Sequence, residues 1–310
     1  MSRISAPVLR AWCTAASVSR IHIVAIAALG TLTFGWLFTG SYPWVVAAIC
    51  ALDWLLVNLL NRVVDIPEDA ANAIFGTRFV ARHRRAILVS GLSVLAGSLA
   101  VGHVFLPALT PWRVGYHLLG AAYNWPLVPG WPRIKQLYFW KNSASAAGFL
   151  ITGFGYPLAP SLAAAAHRGG FLFPSGIQGT TLALTVLFFV LFEMSYEVIY
   201  DLRDREGDAR AAVRTYPVVH GERVAVGVVD GLLGGSAATL ALGYAAGQLP
   251  WRIFVMIAAP LAQLIYYKRA MWRGRRRISS RDCIALTWIG AALLLTYHLW
   301  IAAALPGIGR

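Results

Sequence analysis

Long apolar runs alternate with short polar stretches along the whole chain. A membrane-spanning helix needs about 20 mostly apolar residues, and nine runs approach that length. The pattern therefore predicts an all-α polytopic membrane bundle of nine transmembrane helices. The fourth run is the shortest, and it contains Arg113 and His117. The predicted helices lie near residues 21–39, 44–62, 86–107, 110–126, 143–162, 179–200, 223–246, 250–267 and 284–305.

Basic residues fall mainly on one side of this layout. Of the 27 Lys and Arg residues, four lie on one side (Arg113, Arg168, Arg252 and Arg310) and the remaining 23 on the other. Cytoplasmic loops of membrane proteins carry the excess of Lys and Arg. The split predicts an integral, multi-pass protein with a cytoplasmic N-terminus and a C-terminus outside, in a bacterial or archaeal-type cell membrane.

Composition agrees with lipid as the main solvent of the surface. Only 13% of the residues are charged and 58% are hydrophobic, whereas a soluble domain carries about 25% charge. A net charge of +14 in a soluble protein would suggest nucleic acid. Here the basic residues lie between apolar runs, so membrane lipid headgroups are the expected partner and no nucleic acid is expected. The isolated Cys13, Cys50 and Cys283 predict free thiols.

Two acidic clusters lie on the Lys- and Arg-rich side. In the first, Asn61, Asp65 and Asp69 recur at steps of four residues, which places three oxygen-bearing side chains on one helical face. The second begins at Glu197 and repeats such steps; it comprises Glu197, Asp201, Asp204 and Asp208. Like charges at this spacing repel, so a cation should offset them. Mg²⁺ is commonly bound by one or two carboxylates together with phosphate oxygens.

The clusters thus predict a magnesium–diphosphate site between two helices. The alternative is that each is a solvated interfacial surface paired with nearby arginines; the presence of both clusters on one side counts against it. A diphosphate also needs cationic partners, for which Lys141, Lys135, Arg78 and Arg203 are candidates. Lys141 and Asn142 stand at a predicted helix N-terminus, where the backbone favours anions.

At these motifs the chain resembles the UbiA superfamily of intramembrane prenyltransferases, which has nine transmembrane helices and aspartate-rich motifs after helices 2 and 6. Residues 61–69, NRVVDIPED, resemble the first motif, N-D-x-x-D-x-x-x-D. Residues 201–208, DLRDREGD, and 215–221, TYPVVHG, resemble the second, D-x-x-D-x-x-G-D followed by T-x-P-x-x-x-G. Tyr123 and Pro126 followed by Lys141 match a further family segment, and Ser19-Arg20 is a looser match. Arg62 departs from the family, because it replaces the second position of the first motif.

The resemblance implies one domain over residues 1–310 with a central cavity. It also implies Mg²⁺-dependent transfer of an isoprenyl group from its diphosphate to an aromatic or other lipophilic acceptor. The catalytic residues would be Asp65, Asp69, Asp201 and Lys141. The metal ligands would be Asn61, Asp65, Asp69, Glu197, Asp201, Asp204 and Asp208. The substrate-binding residues would be Lys141, Asn142, Lys135, Arg78, Arg203, Arg20, Tyr123, Tyr196, Tyr200, Glu193 and Asp53.

Two parts of this set rest on separate reasons. The rings of Tyr123, Tyr196 and Tyr200 would stabilise an allylic cation through cation–π contacts, although aromatic residues also anchor helices at the membrane interface. Asp53 and Glu193 lie inside predicted helices, where a carboxyl group is costly and is by default a functional hypothesis. Either would bind or deprotonate the acceptor, or would be a neutral structural acid.

Two other functions fit parts of the pattern. A UbiA-type terpene cyclase would ionise the same diphosphate without an acceptor, and the altered first motif keeps that alternative open. A cation transporter is the third hypothesis. Transporters usually bind substrate near the membrane midplane at broken helices, whereas these clusters lie at the surface.

Overall fold

The structure is a computed structural model that describes residues 6–170, 172–174, 177–273 and 277–303. Helices dominate these residues, and the described part contains no strand. Several arginines of the predicted charge distribution lie outside the described residues, as do the last two positions of the predicted ninth helix. These arginines are Arg3, Arg275, Arg276 and Arg310.

Fifteen α-helices follow one another along the described residues. The longer ones are α1 (Ala6–Val18), α2 (Ile21–Thr39), α3 (Trp44–Val64), α6 (Arg84–Phe105), α7 (Thr110–Asn124), α8 (Trp140–Leu150), α9 (Tyr156–Arg168), α10 (Gly179–Arg210), α12 (Glu222–Ala245), α14 (Ala258–Arg273) and α15 (Ser280–Ala302). The short ones are α4 (Ile66–Ala71), α5 (Thr77–Arg82), α11 (Tyr216–His220) and α13 (Trp251–Phe254).

Seven stretches of the described helices are long and apolar enough to cross a membrane. They are α2, α3, α6, the continuous stretch Trp140–His167 formed by α8 and α9, α10, α12 and α15. The predicted fourth helix is α7, which has 15 residues. The predicted eighth is divided into α13, a 3₁₀ turn over Val255–Ile257, and α14. The all-α membrane fold is confirmed, whereas the count of nine spans is not.

Helix α10 is longer than the sequence predicted. It continues to Arg210 instead of ending near residue 200, so the second acidic cluster lies on the helix itself. Helix α10 packs against α12 and α8, and α2 packs against α3 and α15. These helices surround one large cavity.

A π-helical turn joins α8 to α9 over Ile151–Gly155. Its Thr152 is tied to two other helices: the Thr31 hydroxyl donates to the Thr152 carbonyl at 3.0 Å, and the Trp54 indole donates to the Thr152 hydroxyl at 3.0 Å. Such turns often occur at functional sites. Here the turn brings Gly153 to the wall of the cavity.

Asp53 lies in a buried polar network instead of in the cavity. Its carboxylate accepts two hydrogen bonds from Arg113, at 2.8 and 2.6 Å, and one from the Tyr156 hydroxyl at 2.8 Å. Arg113 also donates to the Ser98 carbonyl at 2.7 Å. Asp53 is completely buried and is not among the residues that line the cavity. The prediction that Asp53 binds substrate is therefore not supported, because its charge is used to pair Arg113.

We expect Arg113→Ala to destabilise the protein by about 3–5 kcal/mol, since it leaves a buried carboxylate without its partner. Thermal unfolding of the purified full chain in detergent measures this. The double variant Arg113→Gln with Asp53→Asn is the matched control, because it removes both charges at once; it should unfold closer to the unmodified chain. An Arg113→Ala variant as stable as the unmodified chain would show that the pair does not hold α3 and α7 together.

Candidate active site

A cavity of about 1140 Å³ lies between the long helices. Its charged end is lined by both acidic clusters, and its far end by apolar and aromatic side chains such as Phe34, Phe188 and Trp300. Two cavity-lining residues on α10, Phe188 and Asp208, are 20 positions apart, which corresponds to about 30 Å along the helix axis. The cavity is thus a long apolar channel with one ionic end.

The first cluster surrounds Asp65, at the end of α3. Asn61 donates to Asp65 at 2.9 Å, and Lys135 Nζ lies 2.5 Å from both Asp65 Oδ1 and Glu68 Oε2. Arg133 donates to Glu68 at 3.0 Å. Burial raises the pKa of Glu68, but the bonds from Lys135 and Arg133 outweigh it and lower that pKa overall. Lysine and arginine therefore hold the Glu68 carboxylate ionised.

Arg62 belongs to the same cluster and pairs with its last carboxylate. Its Nη1 lies 2.5 Å from Asp69 Oδ2, and its Nη2 donates to the Phe75 carbonyl at 2.8 Å. The side chain of Arg62 is fully buried. The arginine that departs from the family motif thus neutralises Asp69 from inside the cluster.

The second cluster lies on one face of α10, opposite the start of α8. Lys141 Nζ lies 2.7 Å from Asp201 Oδ1 and 3.0 Å from Asp208 Oδ2, and Asn142 donates to Asp201 Oδ2 at 2.8 Å. Ser145, one turn further along α8, donates to Glu197 at 2.7 Å. The first turns of α8 therefore supply the partners of this cluster.

Asp204 completes the second cluster, paired with the neighbouring Arg203. Steps of three and four residues along α10 place five acidic residues on one helical face, and each of them lines the cavity. They are Glu193, Glu197, Asp201, Asp204 and Asp208. Glu206 is exposed on another face.

Close contact between α10 and the segment after α4 brings the two clusters together. A methyl group on Gly207 would lie 2.1 Å from Asn72 Oδ1, so only glycine allows Asn72 to pack there. Asn72 itself lines the cavity. Packing against Asn72 thus explains why the second motif has glycine at position 207.

Most of the predicted site residues line this one cavity. Asn142 lies behind the wall, bonded to Asp201, and Arg78 is exposed and outside the lining; Arg78 is therefore not supported as a substrate-binding residue. The predicted residues that line the cavity are Arg20, Asn61, Asp65, Asp69, Tyr123, Lys135, Lys141, Glu193, Tyr196, Glu197, Tyr200, Asp201, Arg203, Asp204 and Asp208.

Sequence reasoning missed four contributors. Glu68 and Arg133 complete the first cluster, Ser145 bonds Glu197, and Asn124 accepts a bond from Asn61 at 2.7 Å. Glu68 was detectable as a third acid within one turn of Asp65. The other three give no signal in the sequence, because each is recognised only through a partner far along the chain.

The donor set suits a metal that shares its ligands with a substrate. Within the described residues, no three His, Cys, Asp or Glu side chains form a group that could hold a metal ion by themselves. Lys135 and Lys141 separate the carboxylates instead. A divalent ion bound by one or two carboxylates with phosphate oxygens needs no such group.

The sequence model of the UbiA prenyltransferase family matches residues 21–290. The chain belongs to this family. A curated relative is the digeranylgeranylglyceryl phosphate synthase of Natronomonas pharaonis, 31% identical over 106 residues. That match spans 33% of this chain and 37% of the relative, so it covers only about a third of the synthase.

Solved structures of UbiA relatives share the fold of this UbiA family member. Two are of a UbiA homolog from Archaeoglobus fulgidus, bound to DMAPP and Mg²⁺ in one and to GPP and Mg²⁺ in the other. Each has a TM-score of 0.66 and 16% identity, and each alignment covers 94% of this chain and 99% of the homolog. At that identity the similarity establishes the fold, and the sequence model establishes the family.

Proposed function

We propose that this prenyltransferase binds a long-chain prenyl diphosphate with Mg²⁺ at the charged end of the cavity and transfers the prenyl group to a lipophilic acceptor. The single observation that carries the proposal is the division of the cavity into an ionic end and a long apolar remainder. Prenyl diphosphates have the same division. The Archaeoglobus fulgidus homolog, bound to DMAPP or GPP with Mg²⁺, supports this assignment.

Charge differs between the two clusters, and the difference suggests where Mg²⁺ would lie. In the first, the three carboxylates Asp65, Glu68 and Asp69 face three cations, Arg62, Arg133 and Lys135. In the second, four carboxylates face two cations. The carboxylates are Glu197, Asp201, Asp204 and Asp208, and the cations are Lys141 and Arg203. The unbalanced charge of the second cluster fits the divalent ion, with Asp201 and Asp208 as its leading ligands.

When bound, Mg²⁺ would neutralise charge that develops on the leaving diphosphate. The protein would contribute Lys141 and Lys135, which can turn from their carboxylates towards phosphate oxygens. Closure of the channel by aromatic and aliphatic side chains would keep water from the allylic cation. The rings of Tyr123, Tyr196 and Tyr200 line the cavity nearer the charged end and would add cation–π stabilisation of about 0.5–2 kcal/mol each.

Arg20 is a further candidate for the diphosphate. It lines the cavity, and its guanidinium has no ion pair among the described residues. It shares this cavity with Asp69 of the first cluster and Glu197 of the second. Its backbone has φ 48° and ψ 47°, a conformation that costs a non-glycine residue of order 1–3 kcal/mol and that is found at binding sites. An arginine free of internal partners can bind phosphate with two hydrogen bonds.

The prenyl chain would occupy the apolar channel. Ser280 and Trp300 on α15 both line the cavity, and 20 residues of helix span about 30 Å. An extended isoprenoid unit adds four chain carbons, or about 5 Å. The channel is therefore long enough for four units, which agrees with the geranylgeranyl group in the name of the Natronomonas pharaonis relative. The excess of basic residues supports a cytoplasmic charged end, with the N-terminus cytoplasmic and the C-terminus outside.

Aromatic rings at the far end also favour a second function. Phe34 stacks on Phe154 with ring centroids 4.2 Å apart and lies 5.2 Å from Phe189. Rings of this kind stabilise a cation that migrates along a folded chain, as in a terpene cyclase. Incubation of the full chain with Mg²⁺ and geranylgeranyl diphosphate, with no acceptor, separates the two functions by mass spectrometry. Cyclic hydrocarbons or alcohols would identify a cyclase. Products that form only when quinone precursors or prenylated glyceryl phosphates are added would identify a transferase.

We expect Asp201→Ala and Asp65→Ala each to abolish turnover while the protein stays folded. The first removes a carboxylate proposed to bind Mg²⁺, and the second removes one of the two carboxylates that hold Lys135. Release of diphosphate from geranylgeranyl diphosphate measures turnover, and EDTA should stop it until Mg²⁺ is added back. Activity retained in both variants would overturn the metal–diphosphate site.

Arg20→Ala should raise KM for geranylgeranyl diphosphate by roughly 10- to 100-fold, because a hydrogen bond to a charged group contributes about 1.5–3 kcal/mol. Arg20→Lys should reverse part of this increase in KM, since lysine keeps the charge but cannot form a bidentate pair with phosphate. The matched control is Arg78→Ala, an exposed arginine outside the cavity. Equal KM values for Arg20→Ala and Arg78→Ala would exclude Arg20 from the diphosphate site.

A further inference from the structure

Glu193 differs from every other carboxylate of the cavity. It is only 8% exposed and lines the channel one turn beyond Glu197. No described residue donates a hydrogen bond to its carboxyl group or pairs with it, whereas Glu197 is bonded by Ser145 and Asp201 by Lys141. Glu193 thus points an unpartnered acid into the channel.

The surroundings of Glu193 make this arrangement costly. The neighbouring cavity residues on α10 are the rings of Phe188, Phe189, Phe192 and Tyr196. Burial of a polar group without a hydrogen-bond partner is unfavourable in such a place, and carboxyl groups inside a membrane are rare. An apolar residue would pack there without that cost. A ligand that enters the channel is therefore the expected partner of the acid.

The position of Glu193 fits a role in bond formation. It lies eight residues from Asp201 on the same helical face, or about 12 Å along the axis. This distance accommodates the expected chain of contacts. The chain comprises a metal–oxygen contact of about 2 Å, the phosphoester, a near-attack gap of about 3 Å and a hydrogen bond of about 3 Å. Glu193 therefore lies at the distance from Asp201 at which it would accept a hydrogen bond from an acceptor hydroxyl group that attacks the prenyl C1.

We propose that Glu193 binds the hydroxyl group of a lipophilic acceptor and accepts the proton that prenyl transfer releases. This inference rests on the function proposed above. The C1–O bond breaks, and its electron pair leaves with diphosphate. An electron pair of the acceptor, a phenol or an alcohol, forms the new bond to C1, and the displaced hydrogen passes as a proton to the Glu193 carboxylate.

The distinguishing substitution is Glu193→Gln, which keeps the size and hydrogen bonding of the side chain but cannot accept the proton. The full chain would be assayed in nanodiscs with Mg²⁺, geranylgeranyl diphosphate and the best acceptor from a panel of phenols, quinone precursors and prenylated glyceryl phosphates. We expect transfer to fall by roughly 10²–10⁴-fold, the usual contribution of a general base. Affinity for geranylgeranyl diphosphate should stay within about twofold, since Glu193 lies beyond the diphosphate.

Two further variants keep the test decisive. Glu193→Asp retains the carboxylate and should recover part of kcat. Asp230→Asn is the matched control, because Asp230 is also an acid within a spanning helix, but it pairs with Lys268 at 2.6 Å and lies outside the cavity; it should leave transfer unchanged.

The proposal would be overturned if Glu193→Gln transferred within threefold of the unmodified chain, as a neutral structural acid predicts. It would also be overturned if binding of geranylgeranyl diphosphate fell as much as kcat. Failure of the proposed function looks different, since the unmodified chain itself would then form no prenylated product from any acceptor of the panel.

Discussion

Pairing of charges in a medium that solvates them poorly is the constraint on which this structure depends. A carboxylate removed from water is stable only with cationic or hydrogen-bonding partners. The fold meets this demand in two ways. Asp53 and Arg113 pair permanently between α3 and α7, whereas Lys135 and Lys141 lie against carboxylates that also line the cavity. The pair of Asp53 and Arg113 has no access to a ligand. Lys135 and Lys141 line the cavity, where a ligand would be able to replace their carboxylate partners.

Arg62 shows how a single position changes the charge of an acidic cluster. By pairing with Asp69 at 2.5 Å, it satisfies a carboxylate that the family resemblance would give to a metal. The first cluster then has as many cations as acids, and the second keeps an excess of acid. The proposed metal site would therefore take fewer ligands from the first cluster, which has an arginine where the family motif has a further aspartate.

Apolar run lengths were sufficient to predict α2, α3 and α12 almost to the residue, because lipid demands long uninterrupted helices. The periodic acids of α10 were equally clear, since side chains four apart share a face. Partner identity was not predictable. Arg133 and Ser145 matter only through residues more than 50 positions away. The sequence also left two roles open for Asp53, because it does not show whether an arginine faces an intramembrane acid.

Glu193 is the exception to this pairing, because no described residue of the protein pairs with its carboxyl group. Asp53 shows that this fold readily supplies an arginine and a tyrosine to an intramembrane acid. The absence of such partners for Glu193 within the described residues is thus not a limit of the fold. An acid without partners keeps a free lone pair, and a proton acceptor needs one. Arg113 and Tyr156 offset the desolvation of Asp53, whereas the desolvation of Glu193 is what would make it effective once an acceptor hydroxyl reaches it.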